Sequence, residues 1–201
     1  MQIATGFIEV EKYWFTDYIN PMQSGTILHQ ISPVWNSESR ILILGTMPSP
    51  ASREAGFFYM HPQNRFWKVV PAVFGEDLKL PNNEKRLELK KAAIQGRKDF
   101  LFRHNIALWD VLSSCNINGA SDASIKNAVP NDFNEIFSKS KITRVFCTGK
   151  TAFNLWQKLC APVYEVHFNL KSEYLPSTSP ANAAWSLERL VESYKRLIAE
   201  T

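Results

Sequence analysis

Four consecutive apolar residues, Ile41, Leu42, Ile43 and Leu44, end at Gly45, the pattern of a strand covered on both faces. Two further runs bounded by polar residues, 106–111 and 143–148, predict central strands of the same kind. Residues 163–168 alternate with a period of two and predict a fourth, and 173–176 predict the last. Residues 27–35 alternate roughly and are broken by Pro33, which suits an edge strand. Between these runs the period changes to that of helices. One is predicted over 64–74, with Phe66, Trp67, Val70, Val73 and Phe74 on one face and a kink at Pro71. A second is predicted over 84–95, with Asn83 as N-cap and Gly96 just past its end. A third covers 131–140, and a fourth opens at Lys150 and carries Phe153, Leu155, Trp156 and Leu159. The closing helix has Leu187, Leu190, Val191, Tyr194, Leu197 and Ile198 on one face. Strands and helices in this alternation imply an α/β fold, a parallel sheet with helices on both faces.

The polar stretch 113–131 is long for a loop, and long loops in compact domains tend to be functional. At 201 residues and 45% hydrophobic the chain suits one core. We divide it into an extension, 1–26, whose aromatic residues pack on the domain, and the domain itself, 27–201. A net charge of +4 permits a polyanionic partner without requiring one. The basic residues Lys85, Arg86, Lys90, Lys91, Arg97 and Lys98 read as a solvated helix face. Cys115, Cys147 and Cys160 form no C-x-x-C and have no paired His spacing, which argues against disulfides, zinc and iron-sulfur clusters. With no apolar run of membrane length and no secretory pattern at the start, the expectation is a soluble cytoplasmic protein without metal.

The chemistry concentrates in two strand-end loops at one edge of the sheet, the turn after Leu44 and the turn after Pro176. Phe57, Phe58, Tyr59, His61, Gln63, Asn64 and Arg65 crowd behind the first, a composition that suits a pocket wall. Ser177, Thr178 and Ser179 in the second offer small side chains and hydroxyls that suit a phosphate. Gly149-Lys150-Thr151 is no phosphate loop, because the required preceding glycine is replaced by Arg144. Lys150 at a helix start can still meet a backbone phosphate. Asp110 at a strand end reads as a capping or loop-anchoring carboxylate.

Gly45-Thr-Met-Pro48 and Gly56-Phe-Phe-Tyr-Met-His-Pro-Gln-Asn-Arg-Phe-Trp-Lys68 resemble, without gaps, the first motif of the mismatch-specific uracil-DNA glycosylases. Leu175-Pro176 through Asn182, followed by Leu187-Glu-Arg-Leu190, is similar to their second motif. Leu108-Trp-Asp-Val111 and Ser121-Asp-Ala-Ser-Ile125 add a resemblance to the hypoxanthine-DNA glycosylase branch of the same superfamily. The resemblance implies a three-layer αβα fold with a central four-stranded, mainly parallel sheet. It implies a monofunctional glycosylase of base excision repair that removes a flipped deaminated base, hypoxanthine first, from DNA, as a monomer and with no cofactor. Where the mismatch-specific enzymes carry a water-orienting Asn, this chain has Met47, whose thioether cannot do that task. The branch places the catalytic amide at Asn64 instead, where it holds a water or a base edge, with His61 as a second candidate. Gly45, Thr46, Met47, Pro48 and Tyr59 then bind the base, Tyr59 by stacking. Lys150, Ser177, Thr178, Ser179, Pro180, Ala181 and Asn182 contact DNA. Uracil removal, a silent nucleic-acid binder of the same fold and a nucleoside hydrolase are the rival readings.

Overall fold

The computed structural model describes residues 25–80, 86–119 and 121–199. Its strands are β1 (Thr26–Leu28), β2 (Ile41–Gly45), β3 (Ile106–Asp110), β4 (Leu112–Asn116), β5 (Lys126–Pro130), β6 (Arg144–Thr148) and β7 (Lys171–Leu175). Its helices are α1 (Pro50–Ala55), α2 (Phe66–Val73), α3 (Leu87–Arg103), α4 (Asn134–Lys139), α5 (Lys150–Leu159), α6 (Ala161–Phe168) and α7 (Leu187–Tyr194). β3, β2, β6 and β7 pair in that order, all parallel. The chain leaves β2 for β3 on one side and returns to β6 on the other. This reversal opens a crevice beyond the carboxyl end of β2, where ligands of open α/β sheets collect.

Alternate residues of the sheet enter two cores. Ile43, Leu108 and Phe146 meet Val70 of α2, Phe100 of α3 and Leu190 of α7. Leu42, Leu44, Ala107, Val145 and Cys147 meet Phe137 of α4, Trp156 of α5 and Ala161 of α6. The expected three-layer arrangement is therefore present. Leu42, Ile43 and Leu44 are fully buried, each worth about 1.5–3 kcal/mol relative to exposure.

Four local expectations are corrected. Residues 163–168 form α6, not a strand: Val163 and Val166 are exposed, and the inward residues Tyr164 and Phe168, four apart, pack on Phe137. Pro162 in its first turn and left-handed Asn169 at its end bound the helix. The second helix does not end at Gly96 but runs on to Arg103. That glycine lies in its interior because a Cβ there would come within 3.0 Å of Leu80 Cδ1. Arg97 of the same helix is buried, not solvated, and lies over the Trp67 ring. The polar stretch after β3 is a second, antiparallel sheet in the order β1-β4-β5. Its register shifts and half-exposed residues leave no clean alternation to read.

Only the start of 27–35 is a strand, in this second sheet, while Val34 bridges Leu108 antiparallel to it. Helices α2 and α4 start later than expected, and Ile198 is exposed beyond a closing 3-10 turn. The expected N-cap Asn83 and residues 1–24 of the extension lie outside the described residues.

α7 is tied to the end of β7 by the buried Tyr194 hydroxyl, which donates to the Pro176 carbonyl at 2.8 Å. Tyr194→Phe leaves that carbonyl unpaired and is expected to cost about 1–3 kcal/mol, to be read as a lower urea midpoint at unchanged slope.

Candidate active site

All four parallel strands end at one cleft of ≈ 580 Å³, within the range of about 300–1,000 Å³ usual for ligand sites. Gly45, Thr46, Met47, Pro48 and Ser49 line it after β2, Asp110 at the end of β3, and Thr148, Gly149 and Lys150 after β6. Ser177, Thr178, Ser179, Ala181 and Asn182 follow β7, with Trp185 beyond them. Tyr59 and Asn64 form a further wall, and Ile117, Gly119, Ser121 and Asp122 reach it from the second sheet.

Gly45 sits opposite Asp110 in the β2–β3 register. A Cβ on it would lie 2.2 Å from Asp110 Oδ1 and 3.1 Å from the Tyr59 hydroxyl, so only glycine fits between them. Asp110 is in turn fixed by His29, whose Nε2 donates to Oδ2 at 2.9 Å with both side chains almost fully buried. One residue on, the Thr46 hydroxyl donates to Asp122 Oδ2 at 2.9 Å and joins the turn to the second sheet. Desolvation raises the Asp122 pKa from its ordinary value, the Thr46 bond opposes this, and the nearby Asp110 charge adds to it. Ser49 caps α1 by accepting from the Ser52 N–H.

Asn64 lies just before α2. Its Oδ1 accepts from the Phe66 N–H at 3.0 Å and from the Thr178 hydroxyl at 2.8 Å. A backbone N–H can only donate, so the amide oxygen must face it and both of its lone pairs are in use. The group left to the cleft is the NH2, a donor. Arg65 beside it spans to the second loop: its guanidinium donates to the carbonyls of Trp185, Ser179 (2.9 Å) and Asn182 (3.0 Å), and its N–H donates to Thr178 O at 3.1 Å.

Tyr59 has a left-handed backbone (φ 56°) and lies flat on Phe66, with ring centroids 3.8 Å apart and planes 4° from parallel. One ring face is thereby covered, and the residue itself lines the cleft. The Thr148 hydroxyl donates to Leu44 O at 3.1 Å, so the Tyr59 hydroxyl, 2.8 Å away, must donate to Thr148. Burial, with the Asp110 charge next, pushes the Tyr59 pKa well above its ordinary value and keeps the phenol neutral.

The structure brings together Gly45, Thr46, Met47, Pro48, Tyr59, Asn64, Lys150, Ser177, Thr178, Ser179, Ala181 and Asn182. His61 and Pro180 are not among the lining residues; His61 Nδ1 accepts from the Gln63 N–H and steadies the loop. Thr178 is buried with its hydroxyl proton committed to Asn64, which turns it from the surface role expected of it to one that holds the amide. Ser177 and Ser179 accept N–H bonds within the loop and keep their own protons to give. The pairing of His29 with Asp110, the Asp122 side chain and Trp185 were missed. Asp110 had a usable signal, its place one strand from Gly45, and Asp122 had another, its place in the long polar stretch 113–131 and in the Ser121–Ile125 motif; only the bond of Asp122 to Thr46, 76 residues away, had none. Among the described residues no group of three or more His, Cys, Asp or Glu could hold a metal ion, and no helix is long and apolar enough to cross a membrane.

Comparison with known proteins agrees with the fold. Residues 33–200 match the model of the "Uracil DNA glycosylase superfamily". A protein of Methanosarcina barkeri named hypoxanthine DNA glycosylase is 32% identical over 141 residues, 70% of this chain and 82% of its own. A protein of the same name from Methanosarcina acetivorans is 32% identical over 158 residues, 78% of this chain and 89% of its own. A solution NMR structure from Methanosarcina acetivorans, given there provisionally as a uracil DNA glycosylase, superposes with a TM-score of 0.61 at 24% identity. It covers 86% of this chain and 99% of that one.

Gly45→Ala is expected to displace Asp110 from His29 and to destabilise the fold by about 1–3 kcal/mol, measured by thermal unfolding together with the His29 ring resonances. Arg65→Lys keeps the charge and loses the fork; faster amide exchange at Asn182, whose N–H bonds Ser179 O, is the expected sign of a loosened second loop.

Proposed function

Because the chain belongs to the uracil DNA glycosylase superfamily, we infer that its cleft hydrolyses the N-glycosidic bond of a deaminated base, hypoxanthine foremost, flipped out of DNA. The observation that carries this reading is the fixed Asn64 amide, its oxygen spent on Phe66 and Thr178 and its NH2 left to the cleft that Tyr59 also lines. The names of the two relatives support hypoxanthine as the base.

Breaking the bond leaves positive charge on the sugar and sends electrons into the base. A preset donor aimed at the rim of the base is worth more as that charge grows than before, which is what accelerates the step. Asn64 Nδ2 is such a donor, and the main chain of the 45–48 turn surrounds the same base. Tyr59, which lines the cleft, stacks on the base. The attacking water needs an acceptor, and the Asp110 carboxylate, held by His29, supplies a fixed one. Lys150, Ser177 and Ser179 face the phosphates, and Ala181 with Asn182 reaches toward the gap that the base leaves. His61, outside the lining, acts on the loop. The reading extends to a monomer in the cytoplasm that uses water as its only co-substrate.

The test is a panel of duplexes carrying hypoxanthine, uracil or xanthine, scored for abasic sites after alkali. Hypoxanthine is expected to be released fastest, and absence of cutting at high enzyme excess rejects the reading. Asn64→Ala is expected to slow release about 100- to 1,000-fold while duplex affinity stays within a few-fold. A silent binder would show equal affinity and no chemistry in either protein.

A further inference from the structure

Asp122 opens a 3-10 turn (Asp122–Ser124) between β4 and β5, so it enters the cleft from the second sheet and not from the parallel one. Only one of its oxygens is bound: Oδ2 takes the Thr46 hydroxyl, whereas Oδ1 has no hydrogen bond among the described residues. The other carboxylate of the cleft, Asp110, is held by His29 and stands beside Gly45. The cleft therefore contains two carboxyl groups in different settings, one tied to an imidazole and one tied only to a hydroxyl at the base-binding turn. Such pairs divide into a group that stays ionised and a group that carries a proton.

Hypoxanthine is a purine, and its departure needs more than a donor at its carbonyl. A purine ring accepts a proton at N7, and that proton draws electrons out of the C1′–N9 bond. We propose that Asp122 is the general acid of this site and that its free oxygen delivers a proton to N7 of the departing hypoxanthine. This assignment rests on the hypoxanthine reading above. In the step, the Asp122 O–H bond breaks as N7–H forms. The C1′–N9 bond breaks with its electron pair going to the base, which leaves neutral. Water adds to C1′, its proton passes by way of Asp110 to solvent, and Asp122 takes a proton back from solvent. The titratable or charged groups that interact electrostatically with Asp122 are Asp110 of β3 and Cys115 of β4, and Arg53 of α1 acts in turn on that thiol. The loss of solvent and then the Asp110 charge favour the protonated form, against the Thr46 hydrogen bond.

Asp122→Asn is the informative variant, because its amide oxygen still accepts from Thr46 and keeps the loop anchored, while its NH2 can donate a hydrogen bond but transfer no proton. Single-turnover release of hypoxanthine from a duplex is expected to slow about 100-fold or more, with duplex affinity unchanged. The wild-type rate is expected to fall as pH rises through the Asp122 pKa, which is raised from its ordinary value, and that limb should be missing in the variant. Wild-type protein given 7-deazahypoxanthine, which has no N7 to protonate, is expected to drop at least as far as the variant does on hypoxanthine. A variant at the wild-type rate, an unchanged pH limb, or wild-type release of 7-deazahypoxanthine at the hypoxanthine rate would each overturn the assignment. Wild-type protein that releases no hypoxanthine would overturn the functional reading itself, a result separate from any of these.

Discussion

The guanidinium of Arg65 holds the two site loops in one piece. Its donors, fixed in a plane, meet the carbonyls of Ser179, Asn182 and Trp185, while the preceding side chain, Asn64, receives the hydroxyl of Thr178. Two loops more than a hundred residues apart in sequence thus share one set of hydrogen bonds. A planar, always charged fork can satisfy several carbonyls at once where a lysine ammonium cannot, and so it fixes the spacing between the amide and the hydroxyl-rich turn. The orientation of Asn64, and with it the donor it offers, follows from that clamp.

The remaining walls are set by the sheet. Parallel pairing places Gly45 against Asp110 and Leu44 beside Cys147, so the ends of neighbouring strands converge without further instruction. The second sheet adds what the parallel sheet cannot supply, a carboxyl group brought over the turn by Thr46. The antiparallel sheet therefore borders the cleft while Leu112 and Cys115 of β4 enter the second core.

The parallel sheet and the place of Asn64 in the cleft were legible in the sequence for different reasons. Ile41–Gly45 is fully apolar up to its glycine, and a short run of that kind is favourable only where both faces of a strand are covered. Asn64 was reached by resemblance to a motif, and its two hydrogen bonds now give the physical reason for its place. Residues 163–168 misled because the exposed Val166 falls midway between the inward Tyr164 and Phe168, with Glu165 and His167 interleaved, which imitates a strand's alternation. Gly96 misled because a glycine in a helix can be a packing requirement as well as a stop. The partnership of Thr46 with Asp122 was not legible at all, since it is made between elements whose polar, irregular pattern carries no period.

The flat contact between Tyr59 and Phe66 has a consequence for the cost of extrusion. A nucleotide leaving a duplex gives up two neighbours above and below its ring. At the wall of the cleft Tyr59 is already stacked on the buried Phe66, 3.8 Å apart and parallel, so on the function proposed above a base laid on Tyr59 becomes the third member of a column that the protein built while folding. Stacking on an aromatic side chain is worth about 1–3 kcal/mol per base. On that reading the protein carries a short segment of artificial helix stack, which regains part of what the damaged strand loses.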